Sequence, residues 1–157
     1  MGLFVSFIPT ATEEVGVFFA LAPVGPEDVV YDLGSGDGRL LFAALERGAG
    51  RVVGIELNEC RIQETRELAR KKGVEDKATF VHADVMDVDL SGATLVVCYL
   101  YSTASAALKP KFEAELKPGA RVVMESFPVH GWKPLEIRHL PARTFYLYRM
   151  PPEADLD

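Results

Sequence analysis

The fold follows from one stretch of sequence, VVYDLGSGDG, which runs from Val29 to Gly38. An apolar run over 28–33 leads into glycines at alternate positions, and residues 39–47 continue with the apolar spacing of a helix. Glycines at such a turn let the backbone bend sharply and approach a ligand, because no Cβ intervenes. The free N–H groups at the start of the next helix suit a carboxylate or phosphate. The stretch therefore predicts a strand, a ligand-binding turn and a helix.

The alternation of strand and helix continues on the C-terminal side of this turn. Apolar β-type runs occupy 51–57, 78–82, 94–99 and 120–125, and helical patterns occupy 58–72 and 102–116, with Pro110 expected at a break or in a first turn. Such alternation predicts a parallel sheet with helices on both faces. Residues 137–140 and 144–150 are too close for a crossover helix, so we expect an antiparallel pair. The predicted fold class is α/β, with a mixed sheet that is mostly parallel.

Length and composition limit how the chain is organised. Its 157 residues correspond to one domain, so no separate substrate domain is expected, and 25% charged with 48% hydrophobic residues is ordinary globular composition. We expect a single domain over 1–157, with an N-terminal lid segment and helix over 1–22 and a flexible tail over 151–157. No apolar run approaches the ~20 residues that span a bilayer, so no membrane insertion is expected.

The cysteines and the N-terminus indicate a compartment. Cys60 and Cys98 form neither a disulfide framework nor a metal-ligand spacing, so no bound metal is expected. Residues 1–22 contain Glu13 and Glu14 and lack the basic region of a signal peptide. These features predict a reducing, cytoplasmic location.

Carboxylates stand at the ends of the first three predicted strands. Asp32 lies inside the end of the first strand, Glu56 ends the second and Asp84 follows the third. Ligands of open parallel sheets bind at this carboxyl edge. Asp32 suits an amino group, Glu56 is placed to accept hydrogen bonds from two ribose hydroxyls, and Asp84 is placed to meet an adenine amino group. An adenosine ligand with an amino acid end, S-adenosylmethionine, satisfies all three.

Spacing separates this turn from commoner glycine-rich loops. The dinucleotide pattern G-x-G-x-x-G requires a glycine where Arg39 stands, and the G-K-[ST] of a P-loop is absent. A nicotinamide or flavin binder, and a glycine turn without any ligand, remain the alternatives at this point.

The turn D-L-G-S-G-D-G over 32–38 resembles the first motif of class I, Rossmann-like, S-adenosylmethionine-dependent methyltransferases. A narrower resemblance rests on segments that occur together: Phe7-Ile8-Pro9-Thr10, the turn with Arg39, Gly54-Ile55-Glu56-Leu57-Asn58, Leu108-Lys109-Pro110-Lys111, Glu115-Leu116-Lys117-Pro118-Gly119 and Gly131-Trp132. The combination resembles the small seven-strand protein lysine methyltransferases, which include an archaeal broad-specificity enzyme and the ATP synthase c-subunit lysine methyltransferase. The chain departs from their pattern at Ala11, where proline is frequent, and at Tyr101, where an aliphatic residue is usual.

The resemblance implies a Rossmann-like fold and transfer of a methyl group from S-adenosylmethionine to lysine side-chain amines of a protein substrate. The residues expected to bind the cofactor come from the N-terminal segment, the glycine turn and the ends of the second and third strands: Pro9, Thr10, Asp32, Gly34, Ser35, Gly36, Asp37, Glu56, Leu57, Asn58, Asp84 and Val85.

The acceptor side is predicted from the residues after the fourth and fifth strands. Residues 97–101 read Val-Cys-Tyr-Leu-Tyr and lack the [DN]-P-P-[YF] of amino-adenine methyltransferases. Cys98 has no adjacent proline, so we expect a structural thiol rather than a nucleophile.

A lysine amine, with an ordinary pKa of ~10.4, must lose a proton before it attacks. An apolar aromatic channel lowers that pKa and still admits the cation. Tyr99 and Tyr101 are the predicted catalytic channel residues, Phe127 and Trp132 its outer wall, and no dedicated general base is expected. Core packing is the alternative for all four aromatic residues.

Charge bears on the partner. With 17 Lys and Arg against 23 Asp and Glu, the formal charge is −6. A negative surface disfavours unaided binding to a nucleic acid, so a lysine-containing protein is the expected partner. Methylation of RNA or a small molecule, and a non-catalytic S-adenosylmethionine-binding module, are the alternatives.

Overall fold

A computed structural model describes residues 12–99 and 102–156. Its helices are α1 (Thr12–Leu21), α2 (Arg39–Glu46), α3 (Glu59–Lys71) and α4 (Ser102–Glu115), with a 3₁₀ turn at Val85–Asp87. Its strands are β1 (Val29–Leu33), β2 (Arg51–Glu56), β3 (Ala78–His82), β4 (Leu95–Tyr99), β5 (Arg121–Glu125), β6 (Trp132–Lys133), β7 (Glu136–His139), β8 (Thr144–Arg149) and β9 (Glu153–Ala154).

Seven strands form one mixed sheet in the order β3-β2-β1-β4-β5-β8-β7. The first five pair in parallel, whereas β8 runs antiparallel to both β5 and β7. The predicted α/β class and the antiparallel C-terminal pair are confirmed. The strand order reverses direction at β1, so the carboxyl ends of β1 and β4 flank the switch point at which ligands of such sheets bind.

Alternate strand residues pack on opposite faces of the sheet. On one face, Val30, Leu95, Val97 and Val123 join a core with Phe18 of α1, Leu41 of α2 and Ile62 of α3. On the other face, Leu33, Val96, Cys98, Val122 and Met124 pack against Leu108 and Phe112 of α4. Burying both faces of each central strand accounts for their continuous apolar sequences.

Two features differ from the sequence predictions. Pro110 lies inside α4 rather than at a break. Pro110 and Ala106, whose carbonyl loses its helical partner, are both on the exposed side of the helix, where water can hydrate that carbonyl.

The predicted flexible tail over 151–157 contains strand β9, which pairs with β6. Asp155 N–H also donates to the Gly131 carbonyl at 2.9 Å. Trp132 of β6 is buried in the core. Its side chain fixes the position of β6, and the backbone of β6 pairs with the tail strand β9. Within the described ranges, none of the helices has the length and apolar character needed to cross a membrane.

Candidate active site

The glycine turn after β1 is fixed to the neighbouring strand by its backbone. Gly34, Gly36 and Gly38 have φ values of 89°, 55° and 79°, in the left-handed region that favours glycine. The N–H groups of Gly34 and Ser35 both donate to the Ile55 carbonyl, at 2.8 and 3.0 Å. The turn therefore lies across the end of β2, and α2 begins directly behind it.

Gly54 in β2 allows this close approach. A Cβ placed there would lie 2.7 Å from Ser35 Oγ and 2.8 Å from both Ser35 Cβ and Phe80 Cδ1. These contacts are shorter than side chains accept, so the turn can pack on β2 only because Gly54 has no side chain. Gly54 is also the register partner of Asp32.

Asp32 is the innermost carboxylate of the site. It is 4% exposed, and no hydrogen bond or ion pair to its carboxylate forms within the described residues. Burial raises the pKa of Asp32 well above its ordinary value, and the carboxylates of Glu56, Asp37 and Glu125 raise it further. A buried carboxylate without a partner is costly unless a ligand supplies a donor or a positive charge.

Glu56 connects the glycine turn to the start of α3. Its Oε1 accepts the Gly36 N–H at 2.9 Å, and its Oε2 accepts the Asn58 N–H at 3.0 Å. Asn58 in turn caps α3, because its Oδ1 accepts the Arg61 N–H at 3.2 Å. Glu56 is thereby held beside the turn at the carboxyl end of β2, the place predicted for a ribose-binding carboxylate.

The end of β3 supplies a carboxylate beside apolar side chains. Asp84 Oδ1 accepts the Met86 N–H at 2.9 Å and caps the 3₁₀ turn, in which Val85 is buried. Leu57 is 46% exposed although it is large and apolar. His82 Nε2 lies 2.9 Å from the Leu57 carbonyl and joins the two strand ends. An exposed apolar surface beside a carboxylate is suited to a flat purine ring.

Asp37 at the end of the turn is engaged by its neighbour. The Arg39 guanidinium binds it at 2.6 Å through Nη2, and the Arg39 N–H donates to Oδ1 at 3.2 Å. Partial burial acts to raise the pKa of Asp37, but the hydrogen bonds and charge of Arg39 outweigh it and lower the pKa. Asp37 is therefore an ionised carboxylate that orders the start of α2.

A buried ionic group at the end of β5 was missed by the sequence analysis. Glu125 is 0% exposed and accepts a hydrogen bond through Oε1 from Arg143 Nη1. Arg143 Nε also lies 3.3 Å from Glu14 Oε2 of α1. The sequence carries a signal for this site, because Glu125 ends an apolar strand as Glu56 does, but the partner of Glu125 is distant in sequence.

Cys98 of β4 packs as a structural thiol. It is fully buried, and its Sγ lies 3.0 Å from Met124 Sδ. Burial raises the pKa of Cys98, and the carboxylates of Asp32 and Glu125 raise it further. A nucleophilic cysteine requires a lowered pKa, so the structural interpretation of this residue is supported.

The two residues predicted for the outer channel wall lie in different surroundings. Phe127 is partly buried just after β5. Trp132 is buried, with its ring 6.1 Å from that of Phe112 and 5.5 Å from that of Tyr148, and its Nε1–H donates to Glu113 at 2.9 Å. These contacts account for Trp132 as a core residue.

Four predicted positions cannot be compared with the structure. Pro9, Thr10 and Tyr101 lie outside the described residues, as does the side chain of Tyr99. Tyr99 is the last residue of β4, and its backbone pairs with that of Glu125 in β5.

Comparison with known proteins identifies the family. The ANTKMT methyltransferase domain model matches residues 32–136. The chain belongs to this family. It is a methyltransferase whose cofactor is S-adenosylmethionine, and its sheet is the Rossmann-like sheet of such enzymes.

Individual relatives extend the comparison. A protein-lysine N-methyltransferase of Saccharolobus islandicus is 40% identical, with 92% of each chain covered. The human ATP synthase c-subunit lysine N-methyltransferase is 33% identical, and the match covers 82% of this methyltransferase and 54% of the human protein. A crystal structure described as an RNA methyltransferase from Salinibacter ruber in complex with S-adenosyl-L-homocysteine superposes with a TM-score of 0.89. That structure is 35% identical, with 96% of this chain and 98% of the other covered.

The described residues fit the cofactor. Asp32 offers a buried, unpartnered carboxylate, and Ser35 Oγ is buried without a hydrogen-bond partner in the described part of the chain. Asp32 precedes the left-handed glycine turn and Ser35 lies within it. Glu56 and Asp84 follow at the next two strand ends. This half of the carboxyl edge, formed by β1, β2 and β3, is called the donor half below; the half formed by β4, β5 and the turn before β8 is called the acceptor half.

Proposed function

We propose that this methyltransferase acts on lysine side-chain amines of protein substrates. The observation that carries the proposal is the 40% identity, over 92% of both chains, to a relative named as a protein-lysine N-methyltransferase. The human relative, named as a lysine methyltransferase of the ATP synthase c-subunit, supports the same acceptor. The free cysteines Cys60 and Cys98 further support the cytoplasmic location that the sequence predicts.

The donor half binds and orients the cofactor in this proposal. Asp32 receives the amino group, Glu56 the ribose hydroxyls, and Asp84 the adenine amino group beside Leu57 and Val85. The N–H groups of the glycine turn, together with Pro9 and Thr10 from the N-terminal segment, complete the binding residues. When bound, S-adenosylmethionine supplies a methyl group attached to a positively charged sulfur. An amine that attacks the methyl carbon displaces the sulfur.

The acceptor half aligns the amine with that methyl group. Alignment provides much of the rate acceleration in a displacement of this kind. Tyr99, Tyr101 and Phe127, which follow β4 and β5, form the proposed channel. An aromatic channel excludes water, lowers the pKa of the entering ammonium and tolerates its charge.

A second candidate function is methylation of RNA. It is favoured by the structural relative described as an RNA methyltransferase, and it is disfavoured by a formal charge of −6.

One experiment separates the two candidates. The protein is incubated with isotopically labelled S-adenosylmethionine and either mixed unmodified proteins or mixed RNA. We expect label in protein, located on lysine by mass spectrometry, and absent from protein whose lysines were blocked by reductive alkylation. Label in RNA with none in protein would contradict the proposal.

A cofactor-binding module without catalysis predicts a third result. In that case S-adenosyl-L-homocysteine binds tightly by calorimetry, but no acceptor is labelled. A Glu56→Gln variant is a useful control, because we expect it to weaken this binding by roughly tenfold, the cost of weakening charge-assisted hydrogen bonds, without changing the acceptor preference.

A further inference from the structure

Glu125 has one carboxylate oxygen engaged and one without a partner. Oε1 accepts a hydrogen bond from Arg143. Oε2 is buried and meets no hydrogen-bond donor in the described ranges. The side chain is 0% exposed, so water does not hydrate it. A buried acceptor without a donor is costly, which indicates that a ligand supplies the donor when the site is occupied.

The position of Glu125 indicates which ligand. It is the last residue of β5, directly across from Tyr99, the last residue of β4. Val123 belongs to the core on the α1 side of the sheet, and side chains alternate along a strand, so Glu125 and Asp32 project from the same face. Their strands are separated by β4, a spacing of about 10 Å between strand axes. Glu125 therefore lies on the acceptor half, close to the cofactor residues but separate from them.

The charges around Glu125 favour a cation. Glu14 approaches from α1, and Arg143 approaches from the turn between β7 and β8. Two carboxylates and one guanidinium leave a negative charge in this group, and Asp32 adds another nearby. The charge of Glu125 acts on the neighbouring carboxylate, since Glu125 contributes to the raised pKa of Asp32.

We propose that Glu125 Oε2 receives the ammonium group of the acceptor lysine and takes one of its protons before transfer. This inference rests on the proposed function. The amino group of the cofactor is already assigned to Asp32, and a sulfonium carries no N–H to donate, which leaves the acceptor amine as the donor that fits.

The chemistry balances with the groups present. The lysine ammonium gives one proton to Glu125 Oε2 and becomes a neutral amine. Its lone pair then forms the N–C bond while the S–C bond breaks, and the electron pair of that bond remains on sulfur. The proton on Glu125 passes to water that enters the channel when the methylated lysine leaves. Burial raises the pKa of Glu125, although Arg143 acts to lower it and Glu14 to raise it, and the raised pKa makes this carboxylate a stronger base than an exposed one. The expectation of no dedicated base is thereby revised.

The test uses the full chain with Glu125→Gln, which keeps the shape and the acceptor oxygen for Arg143 but removes the charge and the basic oxygen. We expect kcat/KM for a lysine-containing protein to fall by roughly tenfold to a hundredfold, the cost of a charge-assisted hydrogen bond. We expect the dissociation constant of S-adenosyl-L-homocysteine, measured by calorimetry, to stay within about twofold of wild type. Glu136→Gln is the matched control, because it removes a carboxylate from an exposed pair with Arg138 on β7, outside this cluster; both parameters should stay near wild type.

Each other result overturns the inference. Unchanged kcat/KM in Glu125→Gln would show that Oε2 does not meet the acceptor. A parallel loss of S-adenosyl-L-homocysteine affinity would assign Glu125 to the cofactor. If Glu125→Gln does not fold, Glu125→Asp is tested instead, because it keeps the charge but shortens the side chain by one methylene. This variant must lower kcat/KM while the affinity for S-adenosyl-L-homocysteine stays unchanged. If the wild-type protein labels RNA and not lysine, the proposed function itself fails, and that outcome does not depend on any variant.

Discussion

The donor and acceptor halves of the carboxyl edge hold their carboxylates in different ways. In the donor half, Glu56 and Asp84 each accept a backbone N–H from two residues ahead, and Asp37 is bound by Arg39, also two residues ahead. In the acceptor half, Glu125 is bound by a residue 18 positions away in sequence. These three carboxylates of the donor half therefore each have a partner two residues away, although Glu56 also accepts the Gly36 N–H of the glycine turn. The ionic group of the acceptor half has no such local partner and forms only when α1, β5 and the turn before β8 are packed together.

The largest expected effect comes from removing Arg143 of the acceptor half, and removing Arg39 of the donor half is the comparison. Arg143→Leu leaves Glu125 and Glu14 buried without their cation, and loss of one partner of a buried ion pair costs about 3–5 kcal/mol. Arg39→Leu removes a pair whose side chains are 39% and 32% exposed, worth about 0–1 kcal/mol because water screens it.

Urea denaturation of both variants measures these free energies of unfolding. Equal losses in the two variants would contradict the difference between the halves. A loss in Arg143→Leu that disappears when Glu125→Gln is added would sharpen it, because the penalty would then be traced to the unpaired carboxylate.

Asp32→Asn should weaken binding to the donor half and change the pH dependence of stability. We expect S-adenosyl-L-homocysteine to bind roughly 10- to 100-fold more weakly, the cost of a lost charge-assisted contact. The pKa of Asp32 is raised when folded, above an ordinary value of 3.8, so the folded wild-type chain binds more protons than the unfolded one between those values. Its free energy of unfolding therefore falls as pH rises through that range.

Denaturation at several pH values, with calorimetry for affinity, measures both effects. In the unliganded protein, Asp32→Asn should reduce the loss of stability with rising pH. An unchanged pH slope together with unchanged affinity would remove Asp32 from the cofactor site.

Gly54→Ala tests the packing of the glycine turn on β2. The added methyl would meet Ser35 and Phe80 at less than 3.0 Å, and overpacking of this kind costs about 1–3 kcal/mol. Displacement of Ser35 should also weaken S-adenosyl-L-homocysteine binding. Gly25→Ala is the control, because nothing lies within 4 Å of its Cβ position and its stability should change by less than about 1 kcal/mol. Thermal unfolding measures the stability of the two variants, and calorimetry measures their affinity for S-adenosyl-L-homocysteine. Equal changes in both variants would show that the close packing of Ser35 on Gly54 does not contribute to stability or binding.

The sequence predicts where the glycine turn and the strand ends of the donor half lie because the determinants of these elements are local; the cofactor-binding roles of their residues stay predictions. The glycine turn, the carboxylate within or just after each strand and the Asn58 cap each occupy a few adjacent residues, and the strand and helix periods place them at one edge. The alternation of elements likewise predicts the parallel strands, and the three-residue connection predicts the antiparallel pair of β7 and β8.

The acceptor half escapes such prediction because its partners meet only through tertiary packing. Nothing near Glu125 in sequence identifies Arg143 or Glu14 as its neighbours. Pro110 is a similar case, since burial of Leu108 and Phe112 against the sheet outweighs the cost of a proline inside α4. The sequence left two roles possible for Trp132, channel wall and core. Its ring contacts with Phe112 and Tyr148, which are distant in sequence, place it in the core.

The smallest expected effect on activity comes from the cysteines. Cys60 lies in α3, beside the donor half, and Cys98 lies in β4, in the acceptor half. Cys60 is exposed and Cys98 is buried, with a pKa raised first by burial. A thiol reagent should therefore label Cys60 in the folded protein, and Cys98 only in denaturant. Cys98→Ala should retain methyl transfer, with a modest loss of stability of about 1 kcal/mol from the cavity left behind. Cys98→Ala could instead lose methyl transfer while it still binds S-adenosyl-L-homocysteine and unfolds cooperatively. That result would show that Cys98 takes part in the reaction and would require a different acceptor chemistry.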